Sequence, residues 1–373
     1  MNYFDNTSTT KIADEVLDTY DQVLRKYYVN SEAIYPSGME VHNLMEKSRG
    51  QIARLLNVLA REIIFTSGGS EANNLAIKGT ALKRASIGKH IITSAVEHSS
   101  VINSCRWLEE YLGFEVTYLT VTRNGSIDPF QLSKAMRPDT ILVSLMLVNN
   151  ESGAINPLDE IRQIVKKHHN CYLHVDCVQA LGKQDIDLRD VDLASFSAHK
   201  INGLKGSGFL VARQHVQLAE LISGGQQENH LRGGTANSPA NIVLAKTVRL
   251  ALEKQQQQGD KIQRLHDYLY EQLEKMDKVV INSPFDGTPY LVNFSALTVT
   301  SQVMMNALAQ RGFEVSAQST CDSNDAYSKV IAAMYDEPQR LKGTIRISLG
   351  YEHTREDIDA LLRAIREVIE AYG

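Results

Sequence analysis

Thr140-Ile141-Leu142-Val143-Ser144-Leu145-Met146-Leu147-Val148 is among the longest apolar runs in the chain. It is far too short to cross a bilayer and reads as a strand buried on both faces. The residues after it settle the architecture. Leu158–His168 carries helical spacing and Tyr172–Val175 is a further short apolar strand, so the stretch is strand, helix, strand. The same rhythm extends outward. Upstream, Glu62–Thr66, His90–Ser94 and Glu115–Thr120 read as strands, with helices at Ser70–Arg84, Val101–Tyr111 and Pro129–Met136. Downstream, Leu193–Ser197 is another strand. Such alternation predicts an α/β domain with a mostly parallel sheet sandwiched by helices. Ligands of such sheets sit beyond the carboxyl ends of the strands. The residues just after each strand are therefore the ones to read for chemistry.

Beyond about residue 255 the rhythm changes. A helical pattern runs from Pro239 to about Leu273 and contains the run Gln255 to Gln258, read as a solvated helix face. Strands are expected at Tyr290–Phe294 and Thr344–Leu349, and helices at about Gln302–Arg311 and Thr354–Tyr372. In the last of these, Thr354 and Asp357 have capping-box spacing. This part reads as a smaller α+β domain onto which the first dozen residues pack. The expected division is 13–254 for the large domain, and 1–12 together with 255–373 for the small one.

The 373 residues are 43% hydrophobic and 22% charged, ordinary for a globular enzyme. A net charge of -5 offers no basic excess for phosphate backbones, so direct nucleic-acid binding is not expected. The opening MNYFDNTSTT has neither a basic nor an apolar leader region, and no membrane association is expected. The four cysteines, Cys105, Cys171, Cys177 and Cys321, are scattered, without zinc-site spacing. A reduced, cytoplasmic protein without a metal site is the expectation.

Three stretches carry candidate chemistry. Thr66-Ser67-Gly68-Gly69-Ser70-Glu71 joins a strand to a helix, where glycines and a helix N-terminus suit a phosphate. An ordinary tight turn would look the same, and the stretch is neither a P-loop nor a dinucleotide fingerprint. In His174-Val175-Asp176-Cys177-Val178-Gln179, Asp176 ends an apolar strand. It suits a protonated ring nitrogen or, equally, the cap of the next segment. In Ser197-Ala198-His199-Lys200, the lysine follows the apolar strand that begins at Leu193 and is a Schiff-base candidate. A surface lysine is the alternative, and Lys205 is a competitor.

Taken together, TSGGSEANNLAI, EHSS, VNNESG, HVDCVQ, SFSAHKINGLKGSG, LRGGTAN and IRISLG occur in the order found in cysteine desulfurases. The opening YFDNTSTT is similar to that family's N-terminal signature. The chain thus resembles, over nearly its whole length, the class V aminotransferase branch of fold-type I PLP-dependent transferases. The resemblance implies pyridoxal 5'-phosphate (PLP) as cofactor, with Lys200 bound to it covalently. It implies Asp176 on the ring nitrogen, Gln179 on the ring's phenolic oxygen, and His98 stacked on the ring and handling protons. Gly69, Ser70, Ser197 and His199 are implied as phosphate contacts. Thr235 is implied as a phosphate ligand donated across a homodimer interface. Asn150 and Arg346 are implied to hold the carboxylate of L-cysteine. In Thr344–Leu349, Ile345, Ile347 and Leu349 share one face, so Arg346 and Ser348 point the other way. Arg346 is then placed to grip a carboxylate, or to make a structural ion pair.

Gln318-Ser319-Thr320-Cys321-Asp322-Ser323-Asn324-Asp325 is small, polar and unpatterned, which predicts a mobile loop. It matches the family's nucleophilic cysteine, so Cys321 is expected to take sulfur as a persulfide. The other cysteines read as structural. The implied activity converts L-cysteine to L-alanine. The sulfur would pass to an acceptor protein, an iron–sulfur scaffold or a tRNA- or thiamine-thiolation protein. Other readings are another class V enzyme (an aminotransferase or a selenocysteine lyase) and a catalytically silent scaffold. The sequence departs from the family pattern at the stretch before Cys321, which reads QSTC. It departs again at Gly224-Gly225-Gln226 and at Asn30-Ser31-Glu32-Ala33. These departures bear on acceptor choice and activity level.

Overall fold

A computed structural model of the chain describes residues 2–317 and 327–373. In chain order its strands are β1 (Asn2–Tyr3), β2 (Ile63–Thr66), β3 (His90–Ser94), β4 (Glu115–Leu119), β5 (Thr140–Met146) and β6 (Tyr172–Asp176). They continue as β7 (Leu193–Ser197), β8 (Gly208–Ala212), β9 (Val279–Ile281), β10 (Leu291–Ala296), β11 (Phe313–Glu314) and β12 (Thr344–Ser348). The large sheet has the order β2-β8-β7-β6-β5-β3-β4. Strands β4, β3, β5, β6 and β7 run parallel, and β8 is antiparallel to both its neighbours.

Every residue of β3, β5, β6, β7 and β8 is buried. That explains their continuous apolar runs, because a sheet covered on both faces has no polar side. Ile92, Val143, Leu173 and Ala194 feed one core, while Ile91, Leu142, Tyr172 and Leu193 feed another. The structure is therefore the mostly parallel, helix-covered α/β fold expected of fold-type I enzymes.

Some boundaries differ from the sequence expectation. Glu62 belongs to a short 3-10 turn rather than to β2, since its carboxylate accepts from Leu59 N at 3.0 Å. The run to Val148 leaves the sheet after Met146, and Val148 instead bridges Ile155. The helix expected to reach His168 ends at Val165. The helix expected from Ser70 starts at Gly69 and reaches Arg84 through a π turn at Leu75–Gly79. Helices Asp14–Lys26 and Pro36–Leu55 and the antiparallel β8 lie where no element was assigned.

Helix Ser238–Glu274 is unbroken across the expected boundary at 254/255. Leu244, Ala245, Val248 and Ala251 pack under the large sheet, whereas Ile262, Leu265, Leu269 and Leu273 join a second core. That core holds Val292 and Phe294 of β10, Ile345 and Ile347 of β12, and Ile358, Leu361 and Ile365 of the last helix. Phe4 is part of it and β1 pairs with β11, whereas Thr10 N donates to His199 O at 2.9 Å. The last helix, Arg355–Tyr372, is capped by the expected box: Asp357 N donates to Thr354 Oγ1 and Thr354 N to Asp357 Oδ2. Among the described residues no helix is long and apolar enough to cross a membrane.

Candidate active site

The parallel strands bring Thr66, Ser94, Met146, Asp176 and Ser197 to one edge of the sheet. From β3 the chain steps outward to β4, then returns to the other side of β3 as β5. Connections leave in opposite directions there, which opens a crevice. A cavity of about 370 Å³ occupies this edge. His98 follows β3, Asn150 follows β5, Asp176 ends β6, and Lys200 follows β7 in a 3-10 turn. All four line the cavity, with Gly69, Ser70, Gln179, Ser197, His199 and Arg346.

The glycine-rich turn is shaped by its neighbours. Gly68 holds φ 145°, a region open to glycine. A Cβ on Gly69 would lie 2.6 Å from Val178 Cγ2, so the backbone passes against that side chain only because it has none. Glu71 braces the turn by accepting from Ser67 N at 2.8 Å and from Arg232 Nε at 3.1 Å. Gly68, Gly69 and Ser70, where the following helix begins, line the cavity, and a helix N-terminus favours anions.

Lys200 and Lys205 both line the cavity, but their surroundings differ. Lys205 is exposed, while Lys200 is half-buried and donates through Nζ to Thr7 O and Ser8 O at 2.7 Å each. The N-terminal segment thus reaches back across the chain to hold this amine. His199 beside it is pushed down to about 4, by burial first and by nearby Lys200 and Lys205 next.

Asp176 is buried, and both its oxygens are engaged. Oδ1 accepts from Val178 N at 2.9 Å and Oδ2 from Asn73 Nδ2 at 2.7 Å. Asn73 Nδ2 also donates to Ser100 Oγ at 2.9 Å, and that hydroxyl is 2.8 Å from His98 Nδ1. Ser100 N donates to the same Nδ1 at 3.1 Å, which requires a lone pair there. The neutral ring then carries its hydrogen on Nε2.

Arg346 is fully buried and makes the ion pair weighed in the sequence. Its Nη2 lies 2.8 Å from Asp5 Oδ1 and 2.7 Å from Ser8 Oγ, and Nη1 donates to Asn150 O at 2.8 Å. It is not the isolated cation that strand alternation alone suggests, yet it still lines the cavity. Gln179 donates through Nε2 to Thr7 O at 3.1 Å and accepts from Lys183 Nζ at 2.9 Å. Thr235 is exposed and stands outside the cavity of its own chain. Cys321 lies outside the described residues.

Cys105, Cys171 and Cys177 are buried, and burial pushes each thiol up. They sit in apolar cores and are unfit as thiolates.

Sequence reading missed Asn73, Thr7, Ser8, Asp5 and Lys183. All but Lys183 lie inside stretches already singled out, TSGGSEANNLAI and YFDNTSTT, but nothing in a linear motif says which residue meets which. Lys183 had a fainter signal, one helical turn beyond Gln179.

The chain matches the family model described as aminotransferase class V over residues 2–361. It is 39% identical to a cysteine desulfurase IscS of Dictyoglomus turgidum, with 99% of this chain and 94% of the relative covered. It is 36% identical to a putative cysteine desulfurase IscS 1 of Bacillus subtilis, covering 99% and 98% of the two chains. A solved structure of a NifS-like protein superposes with a TM-score of 0.93 at 34% identity, covering 99% of each chain.

Proposed function

From a chain that belongs to the class V aminotransferase family, we infer a cysteine desulfurase: an enzyme that converts L-cysteine to L-alanine and hands on the sulfur. Full-length likeness to cysteine desulfurases supports the activity. The observation that carries the mechanism is a primary amine, an engaged carboxylate and a glycine-rich anion turn around one cavity.

These groups fit PLP. Among the described residues, the cavity edge also holds buried polar atoms without a protein partner, Asn73 Oδ1 and Arg346 Nε, as a polar ligand requires. Lys200 would bind the aldehyde, Asp176 the ring nitrogen, and Gly69, Ser70, Ser197 and His199 the phosphate. Once bound, PLP supplies an electron sink for charge developing at Cα of an amino acid.

The chain's own groups do the rest. Asp176, acceptor to two N–H groups, is held in place where it would meet the ring nitrogen. Arg346 and Asn150 receive the substrate carboxylate. Lys200 Nζ, at the cavity wall, would serve as the base that moves the Cα proton. His98 lines the cavity, and with Nδ1 accepting from Ser100 N its neutral ring carries its hydrogen on Nε2, so it acts first as a hydrogen-bond donor. The Cys321 thiolate then attacks the substrate sulfur. The C–S bond breaks, an S–S bond forms, L-alanine leaves and a persulfide stays on Cys321. The electron pair of the broken C–S bond stays with the substrate carbon, which takes a proton to become the methyl of alanine, so that carbon is the electron acceptor for the oxidised sulfur and no outside electron carrier is needed.

The sulfur goes to an acceptor protein, an iron–sulfur scaffold or a tRNA- or thiamine-thiolation protein, and the cytoplasm keeps the thiol reduced. An exposed Thr235 that lies outside its own cavity supports a homodimer in which it completes the partner's phosphate site. The test is alanine and sulfide release from L-cysteine, with persulfide mapping, for wild type, Cys321→Ser and Lys200→Ala. We expect alanine without any keto acid and a persulfide on Cys321 alone. Undiminished transfer by Cys321→Ser, or an absolute keto-acid requirement, would overturn the assignment.

A further inference from the structure

Lys183 stands behind the cavity rather than in it. It lines a separate recess of about 30 Å³ with Lys200, Tyr290, Tyr351 and Glu352. Among the described residues its amine has one hydrogen-bond partner, Gln179 Oε1 at 2.9 Å, and no carboxylate pairs with it. The other end of that amide donates to Thr7 O at 3.1 Å. Gln179 and Thr7 line the cavity and Lys183 does not, so the Nε2 end is the one that looks inward.

A side-chain amide has an acceptor end and a donor end, and its orientation is set by what surrounds it. An ammonium only donates and a carbonyl only accepts. With Lys183 on one side and Thr7 O on the other, one orientation satisfies both. Nε2 then keeps a second hydrogen for the cavity.

We propose that Lys183 is a positioning residue that locks the Gln179 amide with its donor end toward the cavity. Its role rests on the PLP reading, in which Gln179 meets an oxygen of the bound cofactor ring. A flipped amide would set Oε1 against that oxygen, lone pair against lone pair.

Glu352, Tyr290 and Tyr351 share the recess with the Lys183 amine, but among the described residues no carboxylate pairs with it. Burial, then Lys200 and Arg346, push it down to about 7. His199 also feels its charge. Tyr351 is committed to Gly182 O at 3.1 Å, and Glu352 accepts from Asn6 at 3.3 Å. The lock survives deprotonation, because a neutral amine still donates.

The experiment is a pH titration of the visible absorption band, near about 420 nm for PLP bound to lysine. It uses the PLP-loaded full-length protein as wild type, Lys183→Met, Lys183→Arg, Gln179→Met and the double variant Lys183→Met/Gln179→Met. Losing a donor to the ring oxygen lets the adjoining site hold its proton more tightly. Lys183→Met should therefore raise the midpoint by about one pH unit, a tenfold change in proton affinity. Lys183→Arg, which still donates, should keep the wild-type midpoint. In the Gln179→Met background, Lys183→Met should add nothing.

An equal shift in both backgrounds would show a bare charge effect and overturn the proposal, as would no shift in Lys183→Met. If Lys183→Met yields no folded protein, a shifted midpoint in Lys183→Arg overturns it. A wild-type protein lacking the band altogether would overturn the PLP reading itself, so the two failures are told apart.

Discussion

Asn73 ties the carboxylate to the imidazole: its Nδ2 donates to Asp176 Oδ2 at 2.7 Å and to Ser100 Oγ at 2.9 Å, and Ser100 holds His98. Two groups with separate tasks are thereby set by one buried amide. Hydrogen bonds to charged acceptors contribute about 1.5–3 kcal/mol. Asn73→Ala should cost the fold about that much in denaturant titration. It should also weaken PLP retention while leaving Lys200 able to bind the cofactor. A variant with wild-type stability and wild-type PLP affinity would show that Asp176 needs no such brace.

The sheet was legible in the sequence because β3 and β5 to β7 are buried on both faces, which leaves a plain apolar signature. β8 was not, since Gly208–Ala212 directly follows a glycine-rich turn that masks it. Lys200, Asp176 and His98 were legible through their motifs. Asp5 was not assigned, because its partner Arg346 is brought to it only when β1 docks on β11 and Asp5 bridges Ser348. A contact between opposite ends of a chain has no local spacing to betray it.

That distant pair gives a second prediction. Arg346 is buried, and Asp5 is its only carboxylate among the described residues. Removing one partner of a buried pair costs about 3–5 kcal/mol, because the other charge is left uncompensated. Asp5→Ala should destabilise strongly, and adding Arg346→Met should restore part of the loss. Equilibrium unfolding of the two single variants and the double variant checks this. Purely additive losses would mean that Asp5 does not serve as the counter-charge.

Glu97 gives a pH prediction. It is buried, and burial pushes its carboxyl up to about 8, against the opposing influence of hydrogen bonds from Ser94 and the Met146 backbone. A folded value above the unfolded one means the native state holds the proton more tightly. The stabilisation is complete below about 4.5 and is lost as pH rises from there to about 8. His174, pushed down to about 3 by burial, does the reverse: its contribution is present above 6.5 and is lost as pH falls toward 3. Glu97→Gln should therefore gain on wild type steadily between pH 5 and 8, by at most about 1.4 kcal/mol per unit. Melting curves across that range measure it, and parallel profiles for the two proteins would contradict it.

The contact between Gly69 and Val178 yields the last prediction. A methyl at Gly69 would sit 2.6 Å from Val178 Cγ2 and 3.5 Å from Ser197 Cβ. Valine is stiff at χ1, so it does not swing clear at little cost. Overpacking of this kind costs about 1–3 kcal/mol. Here the strain falls on the turn that lines the cavity, so Gly69→Ala should lose PLP affinity more than thermal stability. If the methyl acts through Val178, Gly69→Ala in a Val178→Ala background should recover most of the PLP affinity. Dissociation constants for PLP in the four proteins decide it. Unrelieved weakening in the double variant would mean that the methyl does not act through Val178.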